Sequence, residues 1–174
     1  DHAEAIVGFP GGFGTMDEVF ESLVLIQTGK SPIVPVVLVE GKDGDFWQRW
    51  EDFTKGALLK EGWISPEDPG LYRIVSSPEE AVEEITSFYR LYQSARYVHD
   101  KLVLRLTRAL TEEELAILNE EFSILIASGR IENTAALPEE EDVTHLPRLV
   151  FHHTKHKFGL VRQLIDRING FDAP

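Results

Sequence analysis

Ala5-Ile6-Val7-Gly8-Phe9, followed by Pro10-Gly11-Gly12-Phe13-Gly14-Thr15 and then Met16-Asp17-Glu18-Val19-Phe20, is the stretch whose reading decides the fold. The apolar run is too short for a helix and stops at Pro-Gly-Gly, so it reads as a buried strand feeding a tight loop. From Thr15 onward the period becomes helical. Met16, Val19, Phe20, Leu23 and Ile26 recur at three- and four-residue steps, and Gly29 stands where a C-terminal cap belongs.

The same alternation continues outward. Val36 to Val39 is β-branched and apolar without alternation, as in strands buried on both faces of a parallel sheet, and Pro35 marks its beginning. Phe46, Trp50, Phe53 and Ala57 make the stripe of a second helix. Glu61 to Leu71 reads as a surface loop and Tyr72 to Val75 as a third strand. Ser77-Pro78-Glu79-Glu80 announces a third helix carrying Val82, Ile85, Tyr89 and Tyr92 on one face. The order β-α-β-α-β-α predicts right-handed crossovers and a parallel sheet with helices on it.

After about Gln93 the grammar changes. Tyr97 to Leu106 alternates as a strand. Thr111 to Ser128 reads as a capped helix with Leu115, Leu118, Phe122 and Leu125 inward, ended by Gly129. Ile131 to Ala136 and Leu149 to Thr154 are two further strand candidates around the acidic loop Pro138 to Asp142. A last helix carries Phe158, Val161, Ile165 and Ile168. A boundary is therefore placed near residue 94, with a small α+β extension after it.

Composition narrows the function. Thirty Asp and Glu against 17 Lys and Arg give a net charge of -13, a field that repels a nucleic-acid backbone. No apolar stretch reaches the roughly 18 to 20 residues of a membrane span, so no membrane partner is expected. The absence of Cys removes thiolate chemistry and Cys-built metal sites and fits a reducing, cytoplasmic compartment. The chain opens at Asp1 with a strand five residues in, which leads to the expectation that it is the C-terminal part of a longer protein.

The chemistry sits in the glycine loop. Gly11, Gly12, Phe13, Gly14 and Thr15 between a strand and a helix make a place for an anion, because glycines permit close approach and the first helical N–H groups favour negative charge. No Gly-Lys-Ser/Thr follows, so a monophosphate suits the loop better than a triphosphate. Glu18 has two readings. Thr15-x-x-Glu18 has the spacing of a capping box, as do Ser77 with Glu80 and Thr111 with Glu114. Only Glu18 has a glycine loop ahead of it, where its carboxylate could meet the sugar of a phosphorylated ligand and stabilise a cationic, oxocarbenium-like transition state.

Pro10-Gly11-Gly12-Phe13-Gly14-Thr15-Met16-Asp17-Glu18 resembles the Pro-Gly-Gly-x-Gly-Thr-x-x-Glu signature of the Lonely Guy family, nucleoside 5'-monophosphate phosphoribohydrolases once labelled "possible lysine decarboxylase". Gln27-Thr28-Gly29, the Pro32-to-Leu38 strand and Glu61-Gly62-Trp63-Ile64-Ser65 extend the likeness to about residue 90. The tail is similar to the C-terminal extension of longer bacterial members. The resemblance implies that residues 1–93 are the C-terminal half of a Rossmann-like nucleotide-binding domain and residues 94–174 an α+β extension. It implies hydrolysis of an AMP-like monophosphate to free base and ribose 5-phosphate, without a cofactor, in a homodimer or higher homo-oligomer. Glu18 is then the catalytic acid residue, and Gly11 to Thr15 hold the phosphate. The family's essential Arg before the signature strand has no counterpart between Asp1 and Ala5.

Other features carry less. A pyridoxal phosphate lysine, which the older label would require, has no candidate on or beside the loop, and Lys30 suits a helix C-terminus. His152 and His153 would point to opposite faces of a strand and not share a metal ion. Glu112 to Glu114 and Glu139 to Asp142 lack the pattern of a calcium loop and read as solvated charge. Trp47 and Trp50 read as core, and Trp63 as a loop residue with some prospect of lining a pocket. The alternative to an enzyme is a non-catalytic nucleotide- or phosphate-binding module, a sensor or carrier, since the loop binds anions whether or not chemistry follows.

Overall fold

The computed structural model describes residues 3–172, a mixed α/β chain in two compact units. One runs to Ser87 and takes in Lys157–Arg162; the other holds Phe88–His156 and the chain from Gln163. No helix among the described residues is long and apolar enough to cross a membrane.

The first unit is built on a three-stranded parallel sheet in the order β1 (Ile6–Gly8), β2 (Val36–Val39), β3 (Tyr72–Val75), with Ile6 beside Val36 and Val36 beside Tyr72. All four residues of β2 are buried, as their unbroken apolar character predicts. Helix α1 (Phe13–Gln27) follows β1, α2 (Phe46–Phe53) follows β2 and α3 (Pro78–Phe88) follows β3. Gly29 closes α1 at φ +69°, and a Cβ there would lie 2.3 Å from the Phe158 ring. Trp47 and Trp50 are core, with the Trp47 indole N–H donating to the Val39 carbonyl at 3.1 Å. The buried Arg162 donates to Glu84 at 2.7 Å.

Two expectations change here. The second helix does not run as one α-helix to Ala57, because from Thr54 to Leu59 the backbone widens into π-helical turns. The inward face of α3 is Ala81, Ile85 and Phe88 rather than Val82, Ile85, Tyr89 and Tyr92. Both stripes satisfy helical spacing. The small Ala81 packs against Val37 and Val39, which leaves Val82 outside.

The second unit is a four-stranded antiparallel sheet in the order β4 (Tyr92–Val98), β5 (Lys101–Leu106), β7 (Arg148–His153), β6 (Ile126–Thr134), with α4 (Glu112–Glu121) and the later turns of α5 (Phe158–Gly170). The single strand expected over Tyr97 to Leu106 is a hairpin, turned at His99-Asp100 with His99 at φ +54°. Asp100 was the only cue to the turn, since neither of its residues is Gly. The helix expected to Ser128 ends at Glu121, and Gly129, at φ +73°, lies inside β6 where the register shifts rather than closing a helix.

Two buried polar side chains of this unit are bound internally, Asn169 and Glu140. The Asn169 side-chain carbonyl accepts from the Leu91 and Tyr92 N–H groups (2.9 and 3.0 Å), and its amide donates to the Phe88 carbonyl. In the loop read as solvated charge, Glu140 is the exception. Its buried carboxylate accepts from Arg148 at 2.9 Å, Arg105 at 3.0 Å and the Leu137 N–H at 3.1 Å. Burial alone would raise its pKa, but the arginines and the backbone N–H hold it below the usual carboxylate value.

Candidate active site at the N-terminus of α1

The site begins with the packing of Gly8. A Cβ there would lie 3.0 Å from Leu38 and 3.4 Å from Trp47, so β1 packs closely on its inner side. Val7 and Phe9, two residues apart, take the other side and are 41% and 55% exposed. Pro10 and Gly11 then turn the chain into α1. A Cβ on Gly11 would sit 2.1 Å from the Thr15 Oγ1, so the Thr15 side chain rests against bare backbone. At Gly12 and Gly14 a Cβ would meet nothing within 4 Å. Those two glycines leave the backbone open outward rather than making room for a neighbour.

Helix α1 starts two residues earlier than its apolar period suggests. Its N-cap is Gly12, in extended conformation, with no side-chain cap, and its first turn carries no acidic residue. Thr15 is therefore inside the helix and does not cap it. The Thr15–Glu18 capping box is not formed. The other two sites of the same spacing do cap. The Glu114 N–H donates to Thr111 Oγ1 at 3.2 Å and the Glu114 carboxylate accepts from the Thr111 N–H at 2.8 Å. The Glu80 N–H donates to Ser77 Oγ at 3.2 Å, and its carboxylate accepts from the Ser76 N–H at 2.7 Å. The N–H groups opening α1 have no intrahelical acceptor and sit at the positive end of a 15-residue helix dipole.

Beside this terminus lies an open cleft of about 590 Å³. α1 lines it with Thr15, Glu18 and Ser22 at helical spacing, and β1 with the turn after it lines it from Ile6 to Pro10. Glu18 is exposed, and among the described residues no hydrogen bond or ion pair engages its carboxylate. Its backbone carbonyl accepts from the Ser22 hydroxyl at 2.7 Å. Gly14, Thr15 and Glu18 thus line one cleft, while Phe13 stands 96% exposed outside that lining. Sequence reading passed over Ser22, Val7 and Phe9, though the i, i+4 step from Glu18 and the i, i+2 step along β1 pointed to them.

No lysine lines this cleft. Among the described residues no three His, Asp or Glu side chains converge on a metal position. His152 and His153 are engaged elsewhere, His152 Nδ1 with Ser128 Oγ at 2.8 Å and His153 Nδ1 with the Tyr97 hydroxyl. Trp63 is 78% exposed.

Comparison with known proteins agrees with the motif. No curated protein matches the chain. Residues 1–85 match the family described as "Possible lysine decarboxylase", and the match takes in β1, the glycine loop, α1, β2, α2, β3 and the first turns of α3. Residues 1–85 thus carry the match to the Lonely Guy family domain formerly called possible lysine decarboxylase.

Proposed function

We propose that the cleft hydrolyses the N-glycosidic bond of an AMP-like nucleoside 5'-monophosphate, giving free base and ribose 5-phosphate. The observation that carries this reading is the uncapped N-terminus of α1 with an unengaged carboxylate on the next turn of the same helix, facing the same cleft. Gly11 to Thr15 would take the phosphate on backbone N–H groups and the Thr15 hydroxyl. From Thr15 to Glu18 the helix rises about 4.5 Å, a span suited to reaching from a 5'-phosphate across a ribose ring to its anomeric carbon.

In the reaction the bond between the anomeric carbon and the base nitrogen breaks, and its electron pair leaves with the base, which takes up a proton. Water adds to the anomeric carbon and loses a proton. Glu18 stabilises the positive charge that develops on the sugar between these events and is placed to accept the proton from water. No cofactor is called for. A homodimer or higher assembly and a cytoplasmic place belong to the same reading.

The test is release of free base from AMP, GMP, CMP and UMP by the protein and by its Glu18→Gln variant. Release that the substitution lowers by about two orders of magnitude or more supports the hydrolase. AMP binding without release in either form would instead make the domain a nucleotide-binding module.

A further inference from the structure

One face of the second unit's sheet carries a row of three polar side chains drawn from three neighbouring strands. Lys101 of β5 stands opposite His152 of β7, and His152 stands opposite Ser128 of β6. Residues opposed on antiparallel strands turn their side chains to the same face, with Cβ atoms about 5 Å apart. The bond between Ser128 Oγ and His152 Nδ1, at 2.8 Å, shows that these two side chains meet. A ring that accepts from Ser128 at Nδ1 carries its proton on Nε2, and so presents a donor on the face that Lys101 shares. All three residues line a cleft of about 220 Å³, which lies where the register of β6 shifts beyond Ser128.

Positive charge is left over in this cleft, although the chain as a whole carries a net charge of -13. Elsewhere in the unit Arg105 and Arg148 are held by Glu140, and Arg167 by Glu121. Among the described residues no hydrogen bond or ion pair engages the Lys101 ammonium. The carboxylates at hand are taken. Glu132, which also lines the cleft, lies 3.7 Å from Arg130, and Asp100, beside Lys101 in the chain, accepts from Lys155 at 2.6 Å. We infer that Lys101 and His152, with the ring held by Ser128, form a second anion site, one that takes a phosphate group. A guanidinium fork matches a planar carboxylate, and the arginine that lines this cleft is already paired with Glu132. A lysine ammonium is instead a point charge, and beside an imidazole N–H it suits the compact, tetrahedral phosphate. The site does not depend on how the cleft at α1 is read.

The glycine loop is expected to take phosphate too, so the test reads His152 itself. Inorganic phosphate, titrated into the whole chain at constant ionic strength, should shift the His152 ring signals in an NMR spectrum along a saturating curve. Those signals are assigned by their loss in His152→Gln, and the exposed His145 should not follow the curve. Lys101→Gln should weaken the affinity read at His152 at least about fivefold, while Lys60→Gln, in the first unit, should leave it unchanged. Lys101 is exposed, so its substitution keeps the fold, which an otherwise unchanged spectrum checks. Acetate should bind more weakly than phosphate. Ribose 5-phosphate binding tighter than inorganic phosphate supports a phosphate ester as the ligand, and equal binding supports free phosphate. Unsaturating drift of all histidine rings alike overturns the inference. So does a His152 response that Lys101→Gln leaves unchanged, or one that acetate matches.

Discussion

Thr15-Met16-Asp17-Glu18 at the start of α1 and Thr111-Glu112-Glu113-Glu114 at the start of α4 share one spacing, yet their side chains are put to opposite uses. At α4, Thr111 is the N-cap, and its hydroxyl and the Glu114 carboxylate close the helix end on itself. The Glu114 carboxylate is bound further by Arg108 at 2.8 Å, which is the main cause holding it below the usual carboxylate pKa. At α1 the chain enters the helix through Gly11 and Gly12, and the helix begins at Phe13. The Thr then falls three residues past the cap position, and the Glu is carried to the cleft wall. A capping sequence caps only where the backbone lets the Thr sit outside the helix, and glycines ahead of it remove that constraint.

The contrast is broken most severely at the two glutamates. Glu18→Gln should lower base release by about two orders of magnitude or more with little change in melting temperature, whereas Glu114→Gln should leave turnover alone and lower stability by about 1 kcal/mol. Paired activity and melting measurements on both variants decide it. Equal behaviour of the two would remove the distinction.

The second unit, with a buried histidine and buried or paired carboxylates, should show its own pH dependence. Burial pushes His153 down to about 4 from 6.5, so the folded chain keeps it neutral while the unfolded chain protonates it. Stability should therefore be level above pH 6.5 and fall by about 2–3 kcal/mol toward pH 4. The loss from Glu114 and Glu140, whose pKa values are lowered from 4.5, should come below pH 4.5. Urea titrations across pH should show the upper limb, and His153→Gln should flatten it. A limb that survives His153→Gln would assign it to another group.

Smaller effects sharpen the comparison at the caps. Thr111→Ala should cost about 1 kcal/mol, and Thr15→Ala less than about 0.5 kcal/mol while weakening AMP binding. Gly12→Ser supplies the cap that α1 lacks, at a position whose φ of -92° any residue adopts and where a Cβ meets nothing. It should change stability by only a few tenths of a kcal/mol. It should weaken inhibition by inorganic phosphate several-fold, because the new hydroxyl competes for the same N–H groups. Unchanged phosphate inhibition would place the anion elsewhere.

The first unit was legible because its signals are local. An unbroken apolar run, a glycine loop and a helical period each need only their own residues, and β1, α1, β2 and β3 stand where those signals put them. The later region was less so. His99-Asp100 carries no glycine, and the segment after Glu121 has apolar residues compatible with either a helix or a strand, so pairing with β7 decides in favour of β6. Glu140 reads as surface charge until Arg105, 35 residues away in sequence, and Arg148, eight residues on, are brought to it.

By itself the sequence determined the alternating α/β order, the anion-friendly loop and the family signature, because backbone freedom at glycine and apolar periodicity are properties of short stretches. Only the tertiary structure decided that Gly12 rather than Thr15 is the N-cap of α1, and that Glu18 therefore lines a cleft instead of closing a cap. The cleft lies where β1 packs through Gly8 against Leu38, Trp47 and Val19, contacts between residues far apart in the chain.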